Sequence, residues 1–207
     1  NSCDLRKAVP VESTDRFSFL NMDFYIITLF PESFDSYIKS SIIGRALSAG
    51  HIRIHFIDPR AFTADAHKTA DEKPFGGGPG MVLKAEPVLK AVDSVPSASR
   101  KTAKIILFSP SGRQFTRETA QKWTTRHGAL ILICGRYEGV DERVRKILKA
   151  SEVSIGPYVL TGGELAAMAV MDAVSRHVRG VLGKTESLEE HHGSYPVYTR
   201  PEELGWN

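Results

Sequence analysis

"ALILICGRYEGVDERVRKILKA", residues 129–150, holds the repeating unit from which the fold follows. An unbroken apolar run is succeeded by a turn with two glycines and then by a helix-patterned stretch. A strand that is apolar at every position has to be buried on both faces. That points to a parallel sheet covered by helices, because a half-solvated antiparallel sheet would alternate apolar and polar residues. "VDERVRKILKA" (140–150) supplies one such cover, with apolar residues at helical spacing and charges between them.

The same alternation extends in both directions. "FYIITL" (24–29) reads as a strand, and 31–48 as helical after Pro31. "IRIHFI" (52–57) has period two, and 59–81 is a long polar, glycine-rich loop. "AEPVLKAVDSV" (85–95) reads as a helix, "KIILFS" (104–109) as a strand, and Thr116 to about Arg126 as a helix. "EVSI" (152–155) is a short strand and 163–178 an apolar helix. Alternating strands and helices make the chain α/β, with a mainly parallel sheet flanked by helices. Residues 1–21 are polar and aperiodic and are expected to be an N-terminal extension or expression remnant. Residues 22–183 form the domain, and the polar stretch 184–207 reads as a linker entering a further, truncated domain.

Composition narrows the function classes. The 207 residues suit one domain, with 42% hydrophobic and 25% charged residues. No apolar run approaches the roughly 20 residues that a membrane span needs, and the N-terminus lacks the apolar core of a secretory signal. Cys3 and Cys134 suggest neither a disulfide framework nor a zinc site. The expected location is the cytoplasm, with no membrane partner. Net charge is only +3, but Arg100, Lys101, Lys104, Arg113, Arg117, Lys122 and Arg126 face a single acid, Glu118. This cluster reads as a solvated basic face, with a phosphate backbone as its alternative partner.

Three successive strands end in glycine-containing loops: "SPSGR" (109–113), "GRYEG" (135–139) and "IGPYVLTGG" (155–163). Ligands of open parallel sheets bind beyond the carboxyl ends of strands, so three such loops at one edge predict a site. None is a dinucleotide fingerprint or a Walker A sequence. No Lys or Arg lies between Val153 and Met171, and Glu164 opens the following helix, where it would repel a phosphate. The apolar and aromatic side chains suit a nucleoside-like ligand without phosphates. The helix itself is apolar nearly all round, as expected of a core or oligomer-interface helix. Asp172 and Arg176 lie four apart on it, either as a structural ion pair or with Asp172 orienting Arg176 toward a substrate oxygen. "GGGPGM" (76–81) permits close backbone approach and reads as a loop closing on a large substrate. Asp65, His67, Asp71 and Glu72 before it match no firm metal-ligand spacing.

Taken in order, "TLFPESF" (28–34), "KPFGGGPGM" (73–81), "LFSPSGR" (107–113), "ICGRYEGVDERV" (133–144), "SIGPYVLTGGELAAM" (154–168), "DAVSR" (172–176), "GVLG" (180–183) and "YTRPE" (198–202) resemble the bacterial tRNA (guanine-N1)-methyltransferases, the TrmD family of the SPOUT superfamily. The resemblance covers about residues 22–203. It implies a deep C-terminal trefoil knot, a homodimer with the active site between subunits, and methyl transfer from S-adenosylmethionine to the tRNA guanosine 3′ of the anticodon. It assigns the cofactor to Leu107, Ser109, Pro110, Gly135, Tyr137, Glu138 and Gly139, together with Ser154, Ile155, Gly156, Pro157, Tyr158, Val159, Leu160, Gly162 and Gly163. It places Arg176 at the target guanine, and His67, Asp71, Gly76, Gly77 and Gly78 at the tRNA. The family is also associated with Mg²⁺. Two departures stand out. No Asp follows Glu190: the family segment with its catalytic Asp is either lost or belongs between Glu190 and His191, the second being expected, and in the sequence as it stands Glu189 or Glu190 is the candidate base. Ala167 also replaces a proline, a change expected to have little effect.

Overall fold

The computed structural model describes residues 21–182 and 198–201. Its elements in chain order are β1 (Met22–Ile27), α1 (Asp35–Ile38), α2 (Ser41–Ser48), β2 (Ile52–Ile57), β3 (Asp71–Glu72), β4 (Val82–Leu83), α3 (Ala85–Asp93), α4 (Ser97–Thr102), β5 (Ala103–Gln114), α5 (Arg117–Arg126), β6 (Ala129–Ile133), α6 (Glu142–Leu148), β7 (Ser151–Ser154) and α7 (Glu164–Ser175). Short 3-10 turns occupy Pro31–Phe34 and Pro59–Phe62. Five strands form one sheet in the order β2-β1-β6-β5-β7, and every pairing in it is parallel. β3 and β4 pair antiparallel as a separate small ribbon.

Period-two alternation divides the central strands between two apolar layers. Phe24 and Ile26 of β1 join Leu130 and Leu132 of β6 on one face, with Ile43 of α2, Trp123 of α5 and Val170 of α7. Tyr25, Ile27, Ile131 and Ile133 point to the other face, with Val88 and Val92 of α3 and Val144 of α6. Crossovers toward β2 run over the first face and crossovers toward β7 over the second, so all share one hand, as βαβ connections require.

Two sequence expectations are revised. The helical stretch 31–48 is broken into a 3-10 turn, α1 and α2, with Ser41 at φ 51° between the two helices. β5 does not end at Ser109. It leaves β7 after Phe108 and returns, so that Val153 pairs with both Phe108 and Arg113. Gly112 makes this return possible, because a Cβ there would lie 2.6 Å from the Glu152 carbonyl carbon.

Candidate functional site

The excursion of β5, the loop after β6 and the loop after β7 meet beyond the strand ends around a cavity of about 260 Å³. Their order in the sheet, β6-β5-β7, makes them neighbours, which sequence order alone does not. Main-chain contacts tie the walls together. Gly163 N–H donates to the Gly135 carbonyl at 2.9 Å, and Arg136 forms an isolated antiparallel bridge with Gly162. A Cβ on Gly163 would sit 2.6 Å from Cys134 Cα, so glycine is required where the β7 loop meets the end of β6. Ser154 Oγ donates to the Gly156 carbonyl at 2.8 Å, and the same hydroxyl accepts from Gly156 N–H at 3.2 Å, folding the β7 loop back on itself. The Tyr158 hydroxyl donates to the Ile155 carbonyl at 3.3 Å.

Of the residues assigned to the cofactor, the structure brings Ser109, Pro110, Gly135, Tyr137, Glu138, Gly139, Ser154, Ile155, Gly156, Tyr158, Val159, Leu160, Gly162 and Gly163 to the cavity wall. Leu107 and Pro157 are not on that wall. Leu107 packs into the apolar layer with α3 and α6, while Pro157 is exposed. Phe108, Val153, Arg136, Thr161 and Ala166 line the cavity without having been singled out. Phe108 and Val153 are paired residues at adjacent strand ends, a placement that only the sheet register reveals.

Arg136 revises the electrostatic reading. It stands in the quoted "GRYEG" and brings a guanidinium to the wall that the Lys- and Arg-free 153–171 stretch shares. Glu164, only 3% exposed, does not face a ligand. Its Oε1 accepts from the Thr28 hydroxyl at 2.8 Å, and its Oε2 lies 3.0 Å from Arg136 Nε. The Arg136 N–H is not aimed at that oxygen, so the contact is ionic rather than an aligned hydrogen bond. The guanidinium also stacks over Phe30, 4.4 Å from the ring centroid. The Arg136 charge is therefore balanced by Glu164, and an anionic ligand gains no free cation from Arg136. Burial pushes the Cys134 thiol up, with Glu164 adding and Arg136 opposing, so this cysteine is inert. Ala167 N–H donates to the Gly163 carbonyl at 2.8 Å, a bond that a proline at this position would forgo.

The remaining candidates lie outside the cavity. Arg176 caps α7 and is half-buried. Neither form of an Asp172–Arg176 contact is present among the described residues: Asp172 Oδ2 accepts a short hydrogen bond from the Tyr37 hydroxyl. His67 is exposed and Asp71 lies on β3. Gly76, Gly77 and Gly78 are exposed, with φ of 86°, 90° and 127°. The end of their loop is nevertheless fixed to the cavity wall, because Glu138 N–H donates to the Met81 carbonyl and Leu83 N–H to the Gly139 carbonyl, each at 3.0 Å. Among the described residues no group of three or more His, Cys, Asp or Glu is placed to hold a metal ion. No helix there is long and apolar enough to cross a membrane. Glu190 lies outside the described residues.

Comparison with known proteins gives this site its context. Residues 22–206 match the family described as tRNA (Guanine-1)-methyltransferase TrmD. A tRNA (guanine-N(1)-)-methyltransferase of Carboxydothermus hydrogenoformans is 49% identical over 181 residues, covering 85% of this chain and 70% of its own. The corresponding protein of Thermomicrobium roseum is 50% identical over 184 residues, covering 87% of this chain and 68% of its own. The crystal structure of tRNA (m1G37) methyltransferase from Aquifex aeolicus superposes with a TM-score of 0.75 at 38% identity, over 89% of this chain and 78% of that one. With a match across nearly all of 22–206 and a shared α/β architecture, the chain belongs to the tRNA (guanine-1)-methyltransferase TrmD family.

Proposed function

We propose that the protein transfers a methyl group from S-adenosylmethionine to N1 of the guanosine at position 37 of tRNA, just 3′ of the anticodon. The observation that carries this reading is the cavity at the ends of β5, β6 and β7. Its wall combines main-chain polar groups, Phe108, Tyr137 and Tyr158, and its arginine is already paired. Such a wall fits an adenine ring and a neutral ribose better than a nucleotide phosphate. When bound there, S-adenosylmethionine supplies an activated methyl on a sulfonium. The residues of the three loops would hold and orient it, with Glu138 at the side facing the glycine-rich loop.

The target nitrogen carries a proton and becomes nucleophilic only when that proton leaves, so a carboxylate base is required. Glu190 is the candidate in this sequence, standing in for the family aspartate. Proton loss shifts negative charge to O6, which an arginine stabilises. Arg176 suits that role because Asp172, its neighbour one turn back, is engaged by Tyr37. A homodimer is supported by the outer side of α7, where Leu165 is 57% exposed near the cavity. The knot is supported by the return of the chain from β7 to Gly163 against Cys134, before α7 packs on the face that also carries α5. No three His, Cys, Asp or Glu side chains among the described residues are grouped to hold a metal ion, and no step is assigned to Mg²⁺. A tRNA substrate implies the cytoplasm.

The test is transfer from labelled S-adenosylmethionine to tRNA carrying G or A at position 37. Transfer to G alone is expected. Cofactor binding without transfer to either would instead indicate a noncatalytic or differently targeted RNA-binding protein. Arg176→Ala is expected to lower turnover by about 100-fold while cofactor affinity stays within about twofold. Equal losses in both would remove Arg176 from its proposed role.

A further inference from the structure

A second concavity adjoins the first. It encloses about 910 Å³ between the 72–75 segment, α3, the 138–143 segment and α6, and Glu138 lines both spaces. At its rim Phe75 is exposed to 108% of its reference area, more than any other large apolar residue described. A ring so fully presented to water contributes nothing to the core, and a soluble domain has no structural reason to hold it there. The loop carrying it is anchored at the β3–β4 pairing and at the Glu138–Met81 hydrogen bond. Between these points Gly76, Gly77, Gly78 and Gly80 all have positive φ.

The charges around the ring identify what it meets. Lys84 pairs with Glu72 at 3.8 Å, Lys90 with Glu86 at 2.7 Å and Arg143 with Asp141 at 2.6 Å. Lys73, two residues before Phe75, has no ion-pair partner among the described residues. An apolar protein patch seated here would have to desolvate those ion pairs, at considerable cost. A nucleobase would not, since it offers a π face to Phe75 and polar edges to its surroundings, and its phosphate would meet Lys73.

We propose that Phe75 is a stacking platform for an unpaired base next to the target guanine, with Lys73 contacting the adjoining phosphate. This rests on the tRNA reading and adds a substrate contact to it. The glycines let the platform adjust to the RNA, while the anchored end keeps it beside the methyl-donor cavity.

The experiment measures tRNA affinity by fluorescence anisotropy with S-adenosylhomocysteine bound, alongside calorimetry of that cofactor product and sedimentation mass. Phe75→Ala and Phe75→Leu are each expected to weaken tRNA binding about tenfold, while Phe75→Trp stays within about twofold. Cofactor affinity and mass should not move. An abasic nucleotide on the stacked side of the target should abolish the Phe75→Ala penalty. Lys73→Ala should reduce the slope of log affinity against log salt by about one. Leucine performing as well as phenylalanine, or undiminished affinity of Phe75→Ala, overturns the platform. A change of mass assigns the ring to a contact between copies and overturns it as well. If the parent protein neither binds nor methylates tRNA, the reading beneath the proposal fails too, and the parent control separates that case from the others.

Discussion

Removing the Glu164 carboxylate tests whether the buried charge under the cavity holds its walls together. Glu164→Ala takes the acceptor from the Thr28 hydroxyl, which sits in a buried position. The hydroxyl oxygen still accepts from Phe30 N–H at 3.0 Å, but its own proton is left without a partner, which costs about 1–3 kcal/mol. The same substitution strips Arg136 of its partner. Breaking a fully buried pair costs about 3–5 kcal/mol. The Arg136 side chain is 23% exposed and keeps its stack on Phe30, so about 1–2 kcal/mol is the appropriate share. The two contributions come to about 2–5 kcal/mol, or a fall in Tm of about 4–20 °C for a domain of this size. Glu164→Gln preserves an oxygen for Thr28 and loses only the charge, so it should fall by about 1–2 kcal/mol. Pairing Glu164→Leu with Arg136→Met should recover part of the loss, since an apolar pair carries no stranded charge. Urea unfolding monitored by tryptophan fluorescence gives the stabilities, and calorimetry with S-adenosylhomocysteine reports the cavity. If Glu164→Gln is destabilised as much as Glu164→Ala, the division into hydrogen bond and charge is wrong. If both remain within about 0.5 kcal/mol of the parent, the network does not stabilise the site.

Gly163→Ala puts a methyl 2.6 Å from Cys134 Cα and 3.0 Å from Gly135 N. Its φ of −80° already suits alanine, so the cost is steric. Parting the loops is expected to cost about 1–3 kcal/mol and to weaken S-adenosylhomocysteine at least about tenfold; full affinity by calorimetry would show the loops to be pliable there. Tyr37 is raised from 10.0 to about 12, first by burial and then by its hydrogen bond to Asp172. A raised tyrosine stabilises the fold while protonated, so this contribution is complete below pH 10 and lost as pH climbs to about 12. Denaturation across that window should show a steeper decline for the parent than for Tyr37→Phe, and parallel curves would refute the assignment.

Much of the fold was legible because it depends on local pattern. "ALILI" could only be a strand buried on both faces, and "FYIITL" and "KIILF" carry the same signal. That the three glycine loops meet at one edge was legible for a related reason, since the ends of parallel strands share it. Less legible were features set by what lies opposite a residue. The return of β5 depends on Glu152 facing Gly112, and Val153 enters the wall only through its register with Phe108. Neither fact has a signature along the chain.

The family motifs and the composition by themselves determined an α/β domain of the tRNA (guanine-1)-methyltransferase family with three glycine loops at one sheet edge, because residue type and spacing carry that information. Tertiary structure alone decided how the site's charges are spent. Glu164 looked like a helix-terminal acid facing a ligand, yet it lies buried between Thr28 of the β1 edge and Arg136 of the β6 loop. Asp172 looked like the partner of Arg176, yet it accepts from Tyr37, which is 135 residues away in sequence. A carboxylate is neutralised by whichever donor the fold brings within a few ångströms, and sequence separation does not enter that distance.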